Sequence, residues 1–312
     1  MSIDPDNVTL VIPCYEVAET LPRTLASVEA LDPAPSTVLC VDDGSSDETE
    51  EIIDAHPTAT LISHSHNRGL GATLNTALER TETPWLAKID ADIVVEPDWL
   101  GRLCAHCEET GAVLVQGRFE DEVSTLADRW RATHLRPNFL DEPIYNCAIN
   151  GSNVLCRVAA LSDVGGWDEQ YRRAYDDIDL LSRLFWAGHP VYYAPDVTTT
   201  HTRTDSVRDV LRTSWAYHQD GICSWDDPER PREIALRVPF HAYELARRVK
   251  DDVENRNLAM LAISLLTPFY HLKRDVESIL GERRRTADRR PEGDASDVRR
   301  IERDESGRSP RS

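Results

Sequence analysis

WLAKIDADIVVEPDW, residues 85–99, is an apolar run that ends in two carboxylates, Asp90 and Asp92. A short apolar run of this kind reads as a buried strand, and the polar turn after it carries the acids at the strand's carboxyl end. Side chains alternate along a strand, so Asp90 and Asp92 share a face if the strand persists, and a turn starting there swings both into a cleft. Two hard oxygen donors so close suit a divalent cation that keeps positions open for substrate phosphates. The same acids also read as an Asp-rich loop capping a helix that begins near Pro97.

Upstream, the chain repeats one grammar of apolar strand, polar turn and amphipathic helix. Val8 to Ile12 reads as a first buried strand, followed by Pro13-Cys14-Tyr15-Glu16 and a helix with Leu21, Leu25, Val28 and Leu31 at helical spacing. A second strand, Val38 to Val41, runs into Asp42-Asp43-Gly44-Ser45-Ser46-Asp47, a turn and a helix cap at once. A third, Thr60 to Ser63, precedes Asn67-Arg68-Gly69-Leu70-Gly71, which opens a helix through Leu74, Leu78 and Arg80. Strands alternating with helices predict an α/β domain with a Rossmann-like, mainly parallel sheet covered on both faces, and ligands bound beyond the carboxyl ends of the strands.

IPCYE, VDDGSSDET, NRGLGATLNTAL and KIDADIVVEPDWL, in that order and spacing, resemble the nucleotide-sugar half of a family 2 glycosyltransferase. Farther on, Gly165-Gly166-Trp167-Asp168-Glu169 resembles that family's GGFDE turn, and Tyr175-Asp176-Asp177-Ile178-Asp179-Leu180-Leu181-Ser182-Arg183-Leu184 its EDxDLxxRL helix. The resemblance spans residues 8 to 202 and implies a GT-A fold, an inverting transferase and a divalent cofactor, Mg2+ or Mn2+.

The resemblance also implies roles. Donor contacts fall on Pro13, Tyr15, Glu16, Asp43, Arg68, Asp90, Ala91 and Asp92. Asp43 is placed like the acid that accepts from the nucleotide base, Tyr15 offers a face for that base, and Arg68 is placed near the phosphates. Tyr15 also reads as an aromatic lid on the sheet, and Arg68 as a solvated arginine at a helix start. Asp92 is the expected metal ligand, Asp90 a partner for ribose or for metal-bound water, and His201 a further metal or diphosphate ligand. Asp177 is the expected catalytic base and Asp176 its positioning neighbour, in a place where the family more often has Glu. Asp179, three residues after Asp176, shares its helix face and reads as a brace. The whole acidic run also reads as a helix start favoured by the macrodipole. Asn150-Gly151-Ser152-Asn153 reads equally as an acceptor-side loop or a simple turn.

The chain has 312 residues, 40% of them apolar, enough for one large domain with a helical appendage. The expected division is a nucleotide-sugar half over 1–110, an acceptor and catalytic half over 111–204, a helical extension over 205–280 and a disordered tail over 281–312. Net charge is -20, with Lys88, Lys250 and Lys273 the only lysines. An acid-loaded, lysine-poor surface resembles proteins of extreme halophiles, here of haloarchaeal type, and argues against a nucleic-acid partner. Seven cysteines, an odd number, argue for a reducing interior, and the Cys104–Cys107 pair reads as packing. MSIDPDN is acidic and reads as no signal peptide, so the expectation is a cytoplasmic protein, at the inner face of the membrane if it meets one.

Asp205 to Gln219 and Pro231 to Lys250 read as helices. Residues 257–272, NLAMLAISLLTPFYHL, are too short and too interrupted by Asn257, Pro268 and His271 to span a bilayer, and read as a helix on the core or in a membrane surface. Three function classes follow. The first is transfer from a UDP- or GDP-sugar to a glycan or lipid-linked acceptor hydroxyl, in surface-glycan or protein N-glycan assembly. The second is a polyprenyl-phosphate sugar synthase, and the third a catalytically silent nucleotide-sugar binder.

Overall fold

The computed structural model describes residues 3–136, 139–147, 150–171, 175–220, 231–285 and 298–300. In chain order the elements are β1 (Val8–Cys14), α1 (Leu21–Glu29), β2 (Thr37–Asp42), α2 (Thr49–Ala55), β3 (Ala59–His64), α3 (Leu70–Arg80), β4 (Trp85–Ile89), β5 (Ile93–Val94), α4 (Trp99–Thr110) and β6 (Leu114–Asp121). Then come α5 (Leu126–His134), β7 (Ile144–Tyr145), β8 (Asn153–Arg157), α6 (Val158–Asp163), α7 (Asp176–Trp186), β9 (Val191–His201), α8 (Val207–Asp220), α9 (Pro231–Glu254), α10 (Leu261–Arg285) and β10 (Val298–Arg300).

One sheet carries the domain, in the order β10-β3-β2-β1-β4-β8-β6-β9-β5, with β7 beside β9. β3, β2, β1 and β4 run parallel, as the alternating pattern predicts. Beyond β4 the sheet is mixed, because β8 enters antiparallel between β4 and β6. β7 also runs antiparallel to β9, so β7 and β8 share one direction, opposite to that of β4, β6 and β9.

Alternation within each strand builds two cores. Leu10 and Ile12 of β1 join α1 and α4 on one face of the sheet, while Val11 joins α3, α6 and α7 on the other. A third cluster holds the helical extension, where Trp130 of α5 packs with Val210 of α8 and Ile263 of α10. α5 starts on a capping box in which the Thr125 hydroxyl accepts from the Asp128 N–H and the Asp128 carboxylate accepts from the Thr125 N–H. Asp128 also accepts from the Asp205 N–H at 2.7 Å, which joins the end of β9 to α5, and this network holds its carboxyl down to about 2 despite burial.

Two expectations change. α10 continues through Pro268, the residue expected to break it, because the helix is packed against α8 and α9 along its length. Its faces are also reversed from the usual amphipathic order. Ser264, Thr267, His271 and Asp275 point inward, while Leu265, Leu266, Phe269, Leu272 and Val276 are exposed. In the tail expected to be disordered, α10 runs to Arg285 and Val298–Arg300 pairs antiparallel with Ile62, Ser63 and His64; its remaining residues lie outside those described.

Candidate active site

The strand ends converge on a cavity of 410 Å³ lined by Lys88, Asp90, Asp121, Gly151, Asp176, Asp177, His201 and Arg203 among others. β4 stops at Ile89, so Asp90, Ala91 and Asp92 form a turn in place of further strand. Ala91 O accepts from Thr24 Oγ1 of α1 at 2.9 Å, and Asp92 O accepts from both Thr202 N and Thr202 Oγ1. The turn separates the two carboxylates that strand alternation put on one face. Asp90 pairs with Lys88 Nζ at 2.5 Å, and Asp92 lies 3.2 Å from His201 Nε2.

His201 faces a second acid as well, with Nδ1 3.0 Å from Asp121 Oδ1. Burial works against the imidazolium, yet Asp92 and Asp121 hold its pKa up at about 9. Burial likewise works to raise Asp92, but His201 and Arg203 outweigh it and keep that carboxyl below its usual range. Asp121 behaves the same way, with His201, Arg136 and Arg131 outweighing burial. Arg131 reaches Asp121 and forms a short ion pair with Asp205, while Arg136 grips Asp121 from the other side.

Across the cavity, α7 begins at Asp176, after Tyr175 in the left-handed region at φ 68°. Gly151 touches this turn closely, since a Cβ there would fall 2.6 Å from Asp177 Cβ. Asp176 is 7% exposed, and burial with the neighbouring Asp177 charge pushes its carboxyl up to about 7. Burial raises Asp177 also. Lys88, buried below the pair, is held above the usual lysine value by Asp90 and Asp176 although burial opposes its charge.

On the other side of the turn, Asp43 follows directly on β2 and is buried. Its carboxylate is 3% exposed and accepts from Arg68 N, Gly69 N and the His64 ring, whose other nitrogen meets Thr76 Oγ1. Those donors commit Asp43 to pinning the start of α3. Arg68 thus enters the site through its backbone N–H. Tyr15 is half exposed at the end of β1, and Glu16, at φ 53°, accepts from Ser46 N and Oγ. Pro13 lies in β1, paired with Val41.

The later motifs brace one another. Asn75 of α3 accepts from Trp167 N and donates to Trp167 O, and Gly166 is required because a Cβ would sit 2.6 Å from Asn75 Oδ1. Arg183 donates to Val164 O and Gly166 O and pairs with Asp179, so Asp179 is a brace. Asn150 donates to Gly117 O and Asn153 accepts from Trp99 Nε1, so Asn150 and Asn153 hold the loop while Gly151 and Ser152 face the cavity. Cys104 and Cys107 are buried and free, in keeping with packing.

Sequence reasoning passed over Lys88, Asp121, Arg131, Arg136 and Arg203. Lys88 alone left a signal, as the one charge inside an apolar strand; Asp121, Arg131 and Arg136 pair across 10 to 74 positions, and Arg203 pairs with Asp205 in a segment that carries no periodic pattern.

Residues 9–161 match the family model described as glycosyl transferase family 2. Over 218 residues the chain is 32% identical to the pre-mycofactocin glycosyltransferase of Mycobacterium tuberculosis, covering 65% of this chain and 44% of that protein. The chain thus spans less than half the length of that relative. Among solved structures it is similar to residues 1–349 of S. aureus TarS, with a TM-score of 0.51 at 14% identity over 89% of this chain and 91% of the other. It is also similar to GalNAc-T7 solved with UDP, GalNAc and Mn2+, with a TM-score of 0.51 at 14% identity over 67% and 49%. These likenesses show a GT-A-type fold, mixed sheet and helical region included.

Burying Asp176 leaves a signature in stability. A carboxyl whose pKa rises from 3.8 to about 7 on folding stabilises the protein most below 3.8, and that stability is lost as pH rises through about 7. Asp176→Asn, which cannot ionise, is therefore expected to raise the melting temperature by about 2 to 4 °C at pH 8 and by less at pH 5. Calorimetry at both pH values checks this; an equal shift at both would mean that Asp176 is not held protonated by its surroundings.

Proposed function

We propose, from the match of residues 9–161 to the glycosyl transferase family 2 model together with the site geometry, that this chain is an inverting transferase. It moves the sugar of a UDP- or GDP-sugar to a hydroxyl of a glycan or lipid-linked saccharide. The observation that carries the reading is one cavity lined by two buried acids, Asp176 and Asp177, and by His201, which pairs behind the wall with Asp92.

The donor lies along the carboxyl ends of β1, β2 and β4. Tyr15 offers its half-exposed ring to the base, with Pro13 and Glu16 shaping that edge. Asp43 acts indirectly, by holding the Arg68–Gly69 turn. Asp90 and Ala91 line the approach to the sugar and ribose. Asp92 and His201 would hold a divalent cation once the ring gives up the proton it directs at Asp92: a carboxylate oxygen and an imidazole nitrogen 3.2 Å apart match neighbouring ligands of an octahedral ion, which lie about 3 Å apart at bond lengths near 2.1 Å. This mixed set suits Mn2+ or Mg2+, and the likeness to GalNAc-T7, solved with UDP, GalNAc and Mn2+, supports it. When bound, such an ion neutralises charge on the departing diphosphate. Arg203 and Arg136 line the same cavity and add fixed positive charge.

Asp177 takes the proton of the acceptor hydroxyl while that oxygen bonds to the anomeric carbon. The bond to the diphosphate breaks on the opposite face, its electron pair leaving with the phosphate oxygen, so the configuration inverts. Burial makes both acids more basic than in water, which suits a group that must accept a proton. Lys88 steadies their negative charge from below.

The acceptor's lipid has a docking face. Leu265, Phe269, Leu272 and Val276 recur at helical spacing on the outer side of α10, with Leu266 51% and Phe269 70% exposed. Lys273 and Arg274 lie in the same stretch, and beyond residue 280 ten arginines face eight acids, so this end is not repelled by an anionic surface as the rest of the chain is. Among the described residues no helix is long and apolar enough to cross a membrane.

Asp177→Asn is expected to lower turnover about 10²- to 10⁴-fold with donor affinity at the wild-type level, and NMR of the product to show the inverted anomer. A retained anomer would remove the base assignment. A fully active Asp177→Asn enzyme would favour the polyprenyl-phosphate reading, whose acceptor is already ionised, and donor binding without turnover on any acceptor would favour the silent binder.

Replacing Leu266 and Phe269 together by Glu is expected to abolish co-sedimentation with anionic vesicles while leaving the circular dichroism spectrum intact. If the wild-type chain stays in the supernatant at its working salt, the membrane contact is wrong.

A further inference from the structure

The helical extension holds a cluster that the transfer reaction does not use. α8, α9 and α10 each bring one histidine, His218, His241 and His271, to a common point, with one nitrogen of each within 4.8 Å of the other two. The ring centroids are 4.5 Å apart for His218 and His241 and 5.3 Å for each of the other pairs. All three line a cavity of 610 Å³ that adjoins the catalytic one, sharing Arg136, Tyr175 and Tyr217 with it.

Three imidazoles are a poor choice for packing alone. Each buries two polar nitrogens that need partners, which Phe or Leu would not. Ser214 Oγ meets one nitrogen of His271, at 3.1 Å. His241 Nε2 forms no hydrogen bond among the described residues and points toward Asp275, whose carboxylate lies 3.7 Å away. Asp275 is itself held by Trp215 Nε1 and Arg237, the arrangement in which a carboxylate orients a metal-bound histidine from behind. The two nearby guanidiniums are balanced, Arg237 by Asp275 and Arg248 by Glu244.

The geometry points to a transition-metal site, in which His218, His241 and His271 bind Zn2+ through three imidazole nitrogens and the fourth position faces the adjoining cavity. Three imidazoles select zinc and its neighbours over Mg2+ or Mn2+, which prefer oxygen. Zinc takes the neutral form of imidazole, and burial away from water disfavours the charged form of all three rings. Ligands of a tetrahedral zinc ion lie about 3.4 Å apart at bonds near 2.1 Å, so modest side-chain rotation closes the cluster. The ion ties three helices whose joining chain includes residues 221–230, and so fixes the wall that the extension presents to the acceptor side.

The test uses the intact chain, stripped with a chelator and titrated with Zn2+ alone against a chromophoric competitor. One equivalent is expected to bind at submicromolar Kd, and Co2+ in its place to give the intense visible bands of a four-coordinate site. His241→Ala and His271→Gln should each weaken binding at least about 100-fold. Asp92→Asn, which leaves the His201–Asp121–Arg131 chain in place, should keep both the affinity and the Co2+ spectrum. The wild-type spectrum needs no variant to fold, so six-coordinate Co2+ bands, or no binding below 100 μM, about a hundredfold weaker than expected, overturn the site. Binding that survives His241→Ala but is lost in Asp92→Asn overturns it equally.

Discussion

His201 sits between two buried carboxylates, and the catalytic face is built outward from that contact. Its ring lies 3.2 Å from Asp92 and 3.0 Å from Asp121, joining the turn after β4 to the ends of β6 and β9. Asp121 in turn holds Arg131 and Arg136 of the α5 region, and Arg131 reaches Asp205 ahead of α8. Removing one member of such a buried set strands the charge of its partner, at a cost of about 3 to 5 kcal/mol. One chain of ion pairs thus sets the geometry of the Asp92–His201 pair and anchors the helical extension to the sheet.

The opposite wall is organised on a different principle. Asp176 and Asp177 are buried beside each other at the start of α7, with Lys88 as the countercharge beneath them. Desolvation there is not fully compensated, and both carboxyls are more basic than in water. The protein gives up stability at neutral pH to keep a basic group in a closed site, as expected where chemistry and folding compete for one side chain.

The helical extension combines the two habits. α10 turns Ser264, Thr267, His271 and Asp275 inward and leaves a stripe of leucine and phenylalanine outside. Ser264, His271 and Asp275 meet Trp130, Asp252, Ser214 and Trp215, so the helix is docked by hydrogen bonds and ring contacts beside the apolar burial of Ile263 and Ile279. An apolar face left over after docking this way is free to meet a lipid surface, and the polar interior is where three histidines meet.

By itself the sequence determined the parallel half of the sheet, the strand-end acids and the order of the motifs. Those depend on period-2 and period-3.6 patterning and on turn residues, which act over a few neighbours. It also carried Asp176 and Asp177 as a pair, because they are adjacent on one helix start. Only the tertiary structure decided which charges meet. Asp43 met the backbone of Arg68 and Gly69, and Asp90 and Asp92 parted toward Lys88 and His201. Asp121, Arg131 and Asp205 found one another across as many as 74 positions. A charge pair buried between distant strands leaves no periodic trace in the chain, since its energy comes from a desolvated contact that exists only once the sheet has closed around it.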